Sequence, residues 1–177
     1  SDTFDKDFRE SAEHAQSLRD IMAAGHPPAD WPLFMKLALS VEKDRHAGTM
    51  GWSDDAWYAS VTGFLERQHA PAEAQAAFRF MHAIASYDWK HAVAEVDQLQ
   101  KAREDGIAWI NDDLFRDGAT VALLHTGNVA KARTVFDRMG HYASRKPDDL
   151  RVRLLAAHIV AAERKATEDR RRKTEAR

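Results

Sequence analysis

Apolar residues recur at intervals of three and four along almost the whole chain, and no stretch alternates convincingly at two. At 3.6 residues per turn, that spacing gathers them on one side of a helix. Phe4, Phe8, Ala15, Leu18 and Met22 form one stripe, and Ala74, Ala77, Phe78, Met81 and Ala85 another. Val129, Ala132, Val135, Phe136 and Met139 form a third, and Leu150, Leu154, Leu155, His158 and Ala162 a fourth. Breakers interrupt the stripes at Gly25-His26-Pro27-Pro28, Gly48-Thr49-Met50-Gly51, Pro71, Gly106, Gly127 and Pro147. With 31 alanines among 177 residues to lower the cost of helix formation, the pattern predicts an all-α chain.

Start signals coincide with the breaks. Ser53-Asp54-Asp55, Asn111-Asp112-Asp113 and Pro147-Asp148-Asp149 each offer a capping side chain and carboxylates to free backbone N–H groups at a positive dipole end. Asp30, Asp88 and Asn128 stand just before further apolar runs. Eight helices are expected near 3–24, 30–46, 54–69, 71–86, 88–104, 112–126, 128–143 and 148–168. Joints this short make antiparallel hairpins of consecutive helices.

A repeat underlies the pattern. Asp112-Asp113-Leu114 recurs 36 residues later as Asp148-Asp149-Leu150, and the segment from Asp88 to Val93 aligns with Asn128 to Arg133 forty residues on. In both aligned segments an apolar residue follows the cap, then Ala92 or Ala132, then a bulkier Val96 or Phe136. The small residue admits a close helix neighbour and the larger one fills the groove beside it. Two-helix units of this length predict an array in which each hairpin buries its apolar face against its neighbours.

Residues 112–147 resemble a tetratricopeptide repeat (TPR). Leu123 sits late in the first helix, Gly127-Asn128-Val129 makes the turn, Ala132 and Phe136 mark the second helix, and Pro147 closes the unit a few residues late. Residues 71–106 look like a poorer copy through Asp88, Trp89, Ala92 and Val96, while the first 70 residues are helical without a match. Arg116 stands where the family prefers a tryptophan-like residue, and Thr120 where it prefers Gly or Ala. The resemblance implies a right-handed superhelix of antiparallel hairpins, about eight helices, as one domain over 1–165 with a charged tail at 166–177. It also implies a concave groove, lined by the first helix of each pair, that binds a protein or peptide. The family's carboxylate clamp of Lys, Arg and Asn is not matched, because the corresponding face of 112–126 carries Asp117, Val121 and Leu124. Met81, His82, Asp117, Val121, Leu124 and Arg153 are the expected partner-binding residues.

Other chemistry competes for some of these positions. Asp112, Asp113 and Asp117 lie within a helical turn or so of each other, as carboxylates that hold Mg²⁺ and a diphosphate do. A helix cap explains the first two better, since an Asp-Asp pair also opens two other expected helices, and no second acidic helix or basic diphosphate pocket accompanies them. Nine histidines include the pairs Glu42/His46, Glu66/His69 and Asp137/His141, and the trio Asp88/His91/Glu95, yet no His-Glu-x-x-His spacing appears. His26, His46, His69, His125 and His141 fall near expected helix ends, where an imidazole meets unpaired carbonyls. Trp31, Trp52, Trp57, Trp89 and Trp109 read as plugs between hairpins or as an exposed rim, with Trp52 and Trp109 the most exposed.

Charge and length narrow the classes further. The net charge is −2, and residues 164–177 hold seven basic and three acidic side chains without an apolar face. That is a weak basis for nucleic acid or a membrane surface, and no run approaches the roughly 20 apolar residues of a membrane span. With no cysteine, thiolate chemistry and Cys-ligated zinc are excluded. No leader is visible, but a start at Ser1 leaves prior processing, the compartment and origin from a longer protein open. The expectation is a non-enzymatic interaction module without cofactor, binding protein or peptide. The alternative is a small helical enzyme using a metal or diphosphate at Asp112, Asp113 and Asp117.

Overall fold

The computed structural model describes residues 2–45 and 54–177, with side chains placed for 9–44 and 56–177. The described residues form eight helices and no strand. They are α1 (Asp2–Ala23), α2 (Trp31–Arg45), α3 (Asp54–Arg67), α4 (Ala72–Ala85), α5 (Trp89–Glu104), α6 (Asp112–His125), α7 (Val129–Met139) and α8 (Leu150–Glu175). The expected break at 48–51, the cap at Ser53, and the readings of His46 and Trp52 lie outside the described residues.

The chain divides into two compact units, 1–110 and 111–177. In the first, α4 packs on α2, α3 and α5, and α1 packs on α2. Its core includes Leu18 and Phe78 of the expected stripes together with Phe34, Phe64 and Val96, all essentially inaccessible to solvent. Phe34 of α2 meets Phe64 of α3 with ring centroids 5.2 Å apart, an aromatic contact that adds to the burial of both rings. In the second unit α6 and α7 pair, and α8 packs on both through Val152, Leu155 and Ile159. Ala119, Ala122 and Ala132 are fully buried there, so the small residues sit where helices approach closely.

One joint recurs four times. After α3, α4, α5 and α6 a residue turns left-handed: His69 (φ 55°), Tyr87 (φ 57°), Gly106 (φ 94°) and Gly127 (φ 78°). In each case its N–H donates three residues back, and the next N–H donates five residues back. Asn128 N reaches Leu123 O at 2.8 Å, Asp88 N reaches Ala83 O at 2.8 Å, and Ile107 N reaches Ala102 O at 2.9 Å. This Schellman geometry satisfies the last carbonyls of a helix and reverses the chain at once. After two of these joints the next residue, Asp88 or Asn128, is the N-cap of the following helix. The aligned segments of the sequence are therefore the same tight helix–turn–helix.

Two helix limits differ from the expected ones by more than two residues. α7 ends at Met139 rather than near 143, because Gly140 weakens the helix and the chain beyond it turns to donate Ser144 N and Arg145 N to Asp113. α8 runs to Glu175, so residues 166–177, expected as a charged tail, are almost wholly helix. Good helix formers carry it, with Arg171 and Glu175 one turn apart at 3.6 Å.

Candidate functional site

α6 begins under a side-chain cap. Asn111 Oδ1 accepts from Asp113 N at 3.0 Å and Leu114 N at 3.3 Å, which leaves the Asp113 carboxylate for other work. Asp113 is only 5 % exposed and receives Ser144 N (3.2 Å), Arg145 N (3.0 Å) and the Ser144 hydroxyl. It thereby fastens the segment between α7 and α8 to the start of α6. Burial pushes its carboxyl up. The hydrogen bonds from Ser144 and Arg145, with the charge of Arg116, outweigh that and hold it below the usual 3.8.

Arg116 is buried beside it, 2 % exposed, with its guanidinium 5.8 Å from the Phe136 ring centroid. Its Nη2 lies 3.4 Å from Asp113 Oδ1, and its Nε donates to Asp117 Oδ1 at 3.0 Å. Arg145 closes the group from the other side by pairing with Asp117 Oδ2. The guanidinium is thus a planar cation over an aromatic ring, an arrangement that compensates part of its burial. Thr120 is fully buried, and its hydroxyl has no hydrogen-bond partner.

The expected partner-binding residues are distributed as follows. Asp117, Val121 and Leu124 fall with Leu114 on one strip of α6, spaced at three and four, and all four are half-buried. Arg153 stands exposed on α8 in the same unit. Met81 is 4 % exposed within the packed face of α4. His82 is half-buried in the first unit, where its Nδ1 lies 2.6 Å from Glu42 Oε1 and its ring stacks on Tyr58 at 3.9 Å between centroids.

That last cluster is one the sequence does not announce. Glu42 pairs with an imidazole forty residues away, on another helix. Burial raises the Tyr58 phenol above its usual 10, with the Arg79 charge opposing. Arg79 itself grips Glu95 through Nε at 2.7 Å and Nη2 at 3.2 Å. Of the trio read as an imidazole–carboxylate group, only Asp88 and His91 meet, at 2.7 Å. Among the described residues, no group of three or more His, Asp or Glu is placed to hold a metal ion. Trp57 is buried, Trp31, Trp89 and Trp109 are half-buried, and the Trp109 indole N–H is buried without an acceptor.

The arrangement on α6 offers an apolar strip with a carboxylate already matched to two guanidinium groups. Comparison with family models, with curated proteins and with solved structures returned no match. The class defined is an all-helical protein of short-jointed helix pairs. Among the described residues no helix is long and apolar enough to cross a membrane.

Proposed function

We propose that the hairpins stack as a TPR-like right-handed superhelix, and that the chain is a non-enzymatic module holding a protein or peptide in the resulting groove. The observation that carries this reading is the strip Leu114, Asp117, Val121 and Leu124 on α6: half-exposed, mostly apolar, and rigidly mounted by the Asp113–Arg116 network. Such a strip suits a helix or extended segment that anchors through apolar side chains. The tight joints after α4 and α6 support the repeat reading independently. The competing enzyme reading draws less support. Asp113 and Asp117 already neutralise Arg116 and Arg145, so their charge is not available to a hard cation without breaking those pairs.

The test is capture of a partner from native extract, repeated with Val121→Glu and Leu124→Glu after their melting curves are shown to match the parent. The reading requires one protein that is lost with either variant. An unchanged capture, or a large thermal shift with Mg²⁺ and diphosphate, contradicts it.

A further inference from the structure

A second surface is built on α8. Opposite the buried Val152, Leu155 and Ile159, residues Leu150 (67 % exposed), Leu154 (53 % exposed), Ala157 and Ala161 fall on one line, spaced four, three and four. The ridge is about 16 Å long at 1.5 Å per residue. Arg153, Arg164 and Lys165 flank it and are all exposed, as is Arg151, which pairs with Asp149 at 3.5 Å. The nearby Glu163 does not offset the other three, since it is held by Arg133, whose Nε donates to it at 3.1 Å.

The first unit carries a hollow of the opposite character. Between α1 and α2 a cavity of about 460 Å³ is lined by Ile21, Pro28, Leu33 and Phe34, with Asp20 and Asp30 among its polar members. Leu33 is 56 % exposed. Asp20 accepts from Gln16 and Asp30 from Leu33 N, and neither sits in an ion pair among the described residues. The charge difference extends to the whole units. Residues 1–110 hold 11 basic and 18 acidic side chains, net −7, whereas 111–177 hold 15 and 10, net +5.

We propose that a second copy of this chain is the occupant: the Leu150–Leu154 ridge of one copy seats in the α1–α2 hollow of another. An apolar ridge with basic flanks then meets an apolar hollow with acidic members, and each exposed leucine finds a concave apolar lining. Because ridge and hollow are different surfaces, every added copy presents both again. The assembly is head-to-tail, growing to a ring or an open chain.

The experiment is sedimentation velocity from 1 to 200 µM at low and high NaCl. Mass should rise with concentration, and the association should weaken at least tenfold in high salt. The double variant Leu150→Glu/Leu154→Glu loses the ridge, and Asp20→Lys/Leu33→Glu loses the hollow. All four positions are exposed, and circular dichroism melts check that both variants fold. Each variant alone should remain monomeric. Mixed in equal amounts they should form a one-to-one dimer that grows no further, because one intact ridge meets one intact hollow. A parent monomeric at 200 µM overturns the proposal, as does a mixture that stays monomeric. Association unaffected by either variant overturns it too. So does a monomeric parent that binds vesicles with 30 % anionic lipid through the ridge.

Discussion

Removing the Asp113 carboxylate should unfasten the second unit. Asp113→Ala deletes the acceptor for Ser144 N, the Ser144 hydroxyl and Arg145 N, and leaves Arg116, 2 % exposed, with Asp117 as its remaining carboxylate. Hydrogen bonds to a charged group contribute about 1.5–3 kcal/mol each, and breaking a buried ion pair costs about 3–5 kcal/mol. Two considerations reduce the sum. Ser144 is exposed, so its donors can turn to water, and Asp117 still compensates part of the Arg116 charge. The expected loss is about 3 kcal/mol, a large share of the roughly 5–15 kcal/mol that holds a domain folded. All five tryptophans lie before residue 111, so their fluorescence reports the first unit. Urea unfolding of the second unit is therefore followed by far-UV circular dichroism. Arg116→Met, which puts an apolar chain beside Phe136, should recover part of the loss in the Asp113→Ala background. The double variant then falls short of additivity by about 1–2 kcal/mol. A loss under about 1 kcal/mol for Asp113→Ala, or strict additivity, refutes the argument that a buried ion pair organises this unit.

Further outcomes follow from the same structure. Because the folded Asp113 carboxyl is held below 3.8, its stabilisation is complete above that value and is lost as pH falls through the lower folded value. The gap in unfolding free energy between the parent and Asp113→Asn should stay constant from pH 7 to 5 and narrow toward pH 3; a constant gap is the contrary result. Gly127→Ala forces a side chain into φ 78° and should cost about 1 kcal/mol, whereas His69→Gly relieves a left-handed histidine and should gain about 0.5–1 kcal/mol by thermal melting. Thr120→Val replaces a buried, unpartnered hydroxyl with a methyl group and should raise stability by about 1 kcal/mol in urea titration.

Helix number and most helix limits were legible because apolar period, caps and breakers all point the same way. Asn111, Asp88 and Asp149 are N-caps as read, each accepting backbone N–H groups of the first turn. Gly106 and Gly127 mark left-handed joints openly. His69 and Tyr87 do the same work without the signal, since nothing in a histidine or tyrosine foretells a positive φ; there the neighbouring Pro71 and Asp88 located the joint instead. The site was less legible. Asp113 belongs by position to the cap group of α6, yet its partners come from residues 144 and 145, a contact that local spacing does not encode. Glu42 and His82 illustrate the same limit across α2 and α4. The end of α8 was less legible too: the helix runs past the expected limit near 168 to Glu175, because charged side chains on an exposed helix cost little.

The most direct test of the interaction reading is amide hydrogen exchange on the chain with and without the captured partner. Exchange should slow on peptides from 112–126, centred on Val121 and Leu124. Unchanged exchange across α6, with protection only elsewhere, would contradict the assignment of that strip as the binding face.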